Sequence, residues 1–157
     1  FDAIVTRALI EFSLLLIIIA CLAWFGAWFF SLPTLPHNLP LALWVLFLIF
    51  GIALGVGFFV AVIAVLHPEW VQLVDIFIRP LYFISGIFFP LSSMPEQVQP
   101  YLLWNPLLHG VEQFRSAWVL DYEAGATSIG FLAQASLLIL VLGFMYFRAN
   151  RFRVLTS

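Results

Sequence analysis

His109 and Glu112 stand three residues apart, a spacing that lets an imidazole and a carboxylate share acid–base work on one helix. The same two groups could begin a metal site. No second histidine is near, however, and a lone pair seldom holds a metal. The expectation is therefore no catalytic residue and no metal site. Asp75 and Arg79 are four residues apart with the acid first, the favourable order for a helical ion pair. Arg7 and Glu11 repeat the spacing and read as structural. The chain has no lysine at all, so the Gly-Lys-Ser/Thr of a phosphate-binding loop is absent and ATP cannot be hydrolysed by that route. Cys21 is the single cysteine, set in an apolar run, and carries no disulfide or redox argument.

The elements that must position these residues follow from composition. Of 157 residues, 64% are hydrophobic and 9% charged, against about half and a quarter in ordinary soluble domains. A fold this small cannot hide so much apolar surface from water. A net charge of −2 with six basic residues excludes an electrostatic nucleic-acid binder. No Asp, Glu, Lys or Arg occurs between Glu11 and Glu69. A hydrocarbon core of about 30 Å needs about 20 helical residues. The pattern predicts spans over 9–30, 40–66 and 126–147, and a fourth over 71–90 whose entry is polar and whose Pro80 should kink it. The expected fold is all-α, a polytopic transmembrane helix bundle forming a single domain. The start at Phe1, with no basic region before the first apolar run, reads as the C-terminal part of a longer protein without a signal peptide.

Arg148, Arg151 and Arg153 follow the last span, Arg7 precedes the first, and Arg79 lies near the start of the third. The positive-inside rule then places both ends and the 67–75 turn in the cytoplasm. Trp24, Trp28, Phe29 and Phe30 would form an outer aromatic belt. The segment 91–125 is too apolar for a solvated loop. Ser93-Met-Pro-Glu96 has the form of a capping box, and Asn105-Pro106 sets an Asn cap before proline. Leu107, Val111, Phe114 and Trp118 mark one apolar helix face, with His109, Glu112, Gln113 and Ser116 mostly opposite. Two short re-entrant or interfacial helices are expected here, as a lid or gate on the outer side.

Gly51-Ile-Ala-Leu-Gly55 is a small-xxx-small face, suited to close helix packing within the chain or across a dimer axis. Arg79 and Arg115 could meet an anionic lipid or sugar, since an arginine at mid-bilayer costs about 2.5–3.5 kcal/mol and is usually kept for a reason. Pairing of Arg79 with Asp75 and of Arg115 with Glu112 are the alternatives. Tyr82, Phe83, Phe88, Tyr101 and Trp104 have rings that suit sugar faces and could line a conduit, or serve as lipid contacts.

Phe83-Ile-Ser-Gly-Ile-Phe-Phe-Pro-Leu91, then Leu103-Trp-Asn-Pro-Leu-Leu-His-Gly-Val-Glu112, resemble the C-terminal half of permeases of the ABC-2 type. Within that group the resemblance is to inner-membrane subunits of capsular polysaccharide exporters of Gram-negative bacteria. Phe1-Asp-Ala-Ile-Val-Thr-Arg-Ala-Leu-Ile-Glu11 resembles the stretch that enters their third span. The resemblance implies six spans in the whole protein, so two N-terminal ones would be lacking. It implies a homodimer in the bacterial inner membrane and a separate ATP-binding-cassette ATPase that holds ATP and Mg, this chain having no cofactor. It further implies a lipid-linked polysaccharide as cargo, and periplasmic adaptor and outer-membrane proteins as partners. The turn His67-Pro68-Glu69-Trp70 would then contact the ATPase. Rival readings are an ABC-2 exporter of O-antigen, teichoic acid or a drug, and a lipid-modifying membrane enzyme using His109 and Glu112.

Overall fold

Asn38 and Asn105 start two helices by the same device. Each side-chain oxygen accepts a backbone N–H that the first turn leaves unpaired, from Leu41 at 3.1 Å and from Leu107 at 3.0 Å. Pro40 and Pro106 follow, with their fixed φ and no N–H to lose. The computed structural model describes residues 2–30 and 36–155, except for the side chains of 2–4, 27, 29, 30, 75 and 151–155. Its helices are α1 (Asp2–Phe30), α2 (Leu39–Leu66), α3 (Val71–Ile84), α4 (Gln99–Leu102), α5 (Pro106–Trp118) and α6 (Ile129–Leu155). No strand occurs among the described residues. Among the described residues, Val5–Gly26, Leu39–Leu66 and Ile129–Asn150 are long and apolar enough to cross a membrane.

The stretch 71–90 departs from a continuous helix. α3 stops at Ile84 after 14 residues, about 21 Å of rise, with Pro80 inside it. Gly86 then adopts φ +76°, a left-handed value open to glycine, and a Cβ there would run into Leu108. The expected capping box at Ser93 also fails to form. The Ser93 hydroxyl donates back to the Pro90 carbonyl at 2.8 Å, and Met94 is extended, which turns the chain away before Glu96 can close the box. After a single 3-10 turn at Leu91–Ser93, α-helix resumes only at α4.

α2 is the spine. Ala42, Val45, Leu48, Ile52, Gly55, Phe58 and Val62 recur every three or four residues as one buried stripe. Most of it faces α6, in two clusters: Val45, Leu48, Ile52 and Leu132, then Phe58, Val62 and Phe147. Small residues set the approach. A Cβ on Gly55 would lie 2.6 Å from the Ile139 carbonyl, and one on Gly143 would strike the Gly55 backbone. Ser136 donates to the Leu48 carbonyl across the same contact at 2.8 Å. In lipid, where apolar surface gains little by hiding, such close backbone contact is what holds helices together. α5 lies across α2 and α6, with Gly110 against Ile49 and the Ala117 carbonyl accepting from Asn38 N–H at 3.0 Å. α1 touches α2 through the Phe12–Phe50 rings, 4.3 Å apart, beside an apolar cavity of about 390 Å³.

Candidate functional site

The side of α5 that carries His109 and Glu112 is turned inward. His109 and Glu112 are 4% and 1% exposed, while Leu107, Val111, Phe114 and Trp118 are half-buried. The reason lies in the backbone around the helix. The turns on either side of α5 carry N–H and C=O groups with no helical partner, and buried groups of that kind must be satisfied. α5 supplies the partners.

Glu112 Oε1 accepts from Leu91 N–H at 3.1 Å and from Arg115 Nη1 at 2.6 Å, and its Oε2 accepts from the Tyr122 hydroxyl at 2.5 Å. Arg115 Nη2 donates to the Gly86 carbonyl at 3.0 Å and to Ile87 at 3.4 Å. The Tyr122 ring also lies under the guanidinium, 5.7 Å away. The chain reaches this position by a left-handed turn at Asp121, φ +61°, a residue type that tolerates it. Burial raises the pKa of Tyr122 above the usual 10, the Glu112 hydrogen bond adds to the rise, and Arg115 opposes it. Of the two alternatives open for Arg115 in the sequence, this geometry realises the pairing with Glu112.

His109 spends both ring nitrogens. Nδ1 accepts from Ser128 N–H at 2.8 Å, so the hydrogen sits on Nε2 and is donated to the Leu103 carbonyl at 2.8 Å. The ring rests 4.7 Å from Phe131. Gln113 donates to both oxygens of Thr127. His109 and Glu112, the one pair with the spacing for acid–base chemistry, therefore hold backbone and side-chain partners on either side of α5.

The other sequence-derived candidates fall into separate groups. Tyr82, Phe83 and Phe88 come together as a three-ring cluster, with centroids 5.4–6.3 Å apart, beside the turn that Arg115 holds. All three rings are half or more exposed. Tyr101 and Trp104, on and just after α4, are among the most exposed rings, at 79% and 81%. Arg79 is exposed on α3, and the side chain of its expected partner Asp75 lies outside the described residues, as do those of Phe29, Phe30, Arg151 and Arg153. His67, Pro68, Glu69 and Trp70 form an exposed turn between α2 and α3, with His67 Nδ1 3.5 Å from Glu69 Oε1 and the Trp70 ring 5.9 Å from the imidazole. Gly51 and Gly55 face α6 of the same chain, and nothing lies within 4 Å of where a Gly57 Cβ would be. Tyr122, Gly86 and Ser128 were not legible as site residues. Their partners are distant in sequence, and only the left-handed tendency of Gly86 gave a local hint.

Long lipid-compatible helices joined by a backbone-stapled segment define a polytopic membrane protein. The ABC-2 type transporter family profile matches residues 1–119, and the chain belongs to that family. It is 36% identical over 160 residues to the polysialic acid transport protein KpsM of Escherichia coli, covering 99% of this chain and 60% of that protein. It is 32% identical over 149 residues to the capsule polysaccharide export inner-membrane protein BexB of Haemophilus influenzae, covering 90% of this chain and 53% of that one. A shorter stretch of 60 residues is 33% identical to CtrC of Neisseria meningitidis, also named a capsule polysaccharide export inner-membrane protein. The chain thus spans little more than half the length of the first two relatives, and its match to the third covers 23% of that protein.

Proposed function

We propose that this chain is the membrane-spanning part of an ATP-driven exporter that moves lipid-linked capsular polysaccharide across the bacterial inner membrane. The observation that carries the reading is similarity along 99% of the chain to a protein named for polysialic acid transport. The absence of lysine supports placing ATP and Mg on a separate ATPase subunit. The exposed turn His67–Trp70 is the coupling surface for that subunit, and its rigid-body displacement drives the spans. Two copies form the conduit, and periplasmic adaptor and outer-membrane proteins carry the polymer onward.

In this arrangement α3 and the turn to Pro90 make the third of four crossings, and residues 91–125 form the outer gate. Both ends of the chain are cytoplasmic, after the arginines that flank the spans. Tyr82, Phe83 and Phe88 offer ring faces to the sugar, with Tyr101 and Trp104 further along the outer segment. Arg79 meets the anionic lipid anchor near the entrance.

The test combines export with co-purification, using the full gene in its own host. Deletion should remove surface capsule and leave polymer inside the cell. An ATPase subunit should purify with the protein, and Glu69→Arg should leave hydrolysis running while export falls. Export of capsule without any nucleotide-hydrolysing partner would overturn the reading. A different polymer retained inside the deletion strain would overturn the cargo assignment.

A further inference from the structure

α3 is held at two ends and little between. From Ile76 to Ile84 every residue is exposed, and the helix approaches the bundle at the 68–70 turn and α2. Beyond Ile84 the backbone is non-helical until Leu91, and its polar groups need partners. Non-helical backbone at membrane depth is tolerated only where protein or a wet cavity satisfies it. Here the partners are three specific contacts: Gly86 and Ile87 carbonyls on Arg115, and Leu91 N–H on Glu112. Arg115 is suited to this because its planar fork engages a carboxylate with one nitrogen and a carbonyl with the other. Leu108, 1% exposed, seats against Gly86 below them.

We infer that Arg115 and Glu112 are positioning residues that strap the outer end of α3 to α5, so that α3, the 85–91 turn and α5 move as one body. A displacement at the 67–70 turn would then reach the outer helices through α3 rather than being lost in a slack loop. Tyr122 completes the strap by holding the second carboxylate oxygen of Glu112. The inference concerns transmission within the chain and holds for any cargo. It uses the arrangement proposed above only for the direction of the push.

The test is amide hydrogen exchange on the complete transporter complex in lipid nanodiscs, comparing Arg115→Ala and Arg115→Lys with the parent. Loss of the strap should raise exchange in peptides covering 85–93 by about tenfold in Arg115→Ala, and by less in Arg115→Lys, while α2 and α6 stay protected. Arg115→Lys keeps the charge beside Glu112 but not the fork, and it gives the reading if Arg115→Ala does not accumulate in membranes. Unchanged exchange over 85–93 in both variants would overturn the inference. So would a parallel rise across α2 and α6, which would mean a general loss of the fold. In the same preparations, ATP hydrolysis should persist in Arg115→Lys while transport per ATP falls. Undiminished transport with a loosened 85–93 segment would also refute the positioning role. A parent complex that moves no polysaccharide would count against the proposed cargo, and the exchange data would still decide the strap.

Discussion

The three glycines of Gly51-Ile-Ala-Leu-Gly55-Val-Gly57 should respond differently to one added methyl group. At Gly55 the Cβ would lie 2.6 Å from the Ile139 carbonyl carbon and oxygen and 2.7 Å from the Leu140 nitrogen. Ordinary contact begins at 3.4 Å, so the helices must separate by about 0.8 Å, and the atoms in the way are backbone and cannot rotate aside. Overpacking of that kind costs about 3 kcal/mol at its upper end, and the better helix propensity of alanine returns about 1 kcal/mol. Gly55→Ala should therefore destabilise by about 2 kcal/mol, roughly thirtyfold in the folded-to-unfolded ratio. At Gly51 the obstacle is the Ser136 hydroxyl, which can turn away but gives up its bond to Leu48, a loss of about 1 kcal/mol that alanine's propensity largely offsets. Gly57→Ala meets nothing and should be neutral or slightly stabilising. The assay is reversible unfolding in bicelles, read by tryptophan fluorescence, with oligomer size measured in parallel. Equal losses for Gly55→Ala and Gly57→Ala would refute the packing argument. So would a Gly55→Ala protein of parental stability that no longer self-associates, because the face would then belong to a dimer.

Glu112→Ala leaves the Arg115 guanidinium and Leu91 N–H without their partner in a site where Glu112 is 1% exposed; thermal unfolding should show a loss of about 3–5 kcal/mol, as for one half of a buried pair. Asn105→Ala should cost about 1 kcal/mol by removing the α5 cap, and Asn105→Ser should restore most of it in the same assay. Tyr122 has a folded pKa above 10, so its contribution to stability is complete below pH 10 and is lost as pH rises through the folded value. Difference absorbance between the parent and Tyr122→Phe should show one tyrosine ionising above pH 10; ionisation below pH 10 would contradict the buried contact with Glu112.

Apolar runs and their lengths were enough to determine an all-helical membrane protein, because covering about 30 Å of hydrocarbon with satisfied backbone leaves few choices. The Asn105 cap was equally readable, since a cap involves only residues within one turn. The residues Phe83–Leu91 and Leu103–Glu112 carried the family resemblance without any coordinates. What the sequence could not show was which way α5 faces. Its apolar spacing marked Leu107, Val111, Phe114 and Trp118 as one face, and amphipathic spacing alone does not say whether that face meets lipid or protein. Tertiary structure decided it. The turns at 85–91 and 121–128 need partners for their backbone and hydroxyl groups, and His109, Glu112, Gln113 and Arg115 provide them, so the polar side went in. The same holds for α3, which reads as apolar to Pro90 but ends at Ile84, because Gly86 turns left-handed over Leu108 and Arg115 donates to the freed carbonyls of Gly86 and Ile87. Each of these outcomes depends on contacts between residues ten to thirty positions apart, and local pattern does not contain them.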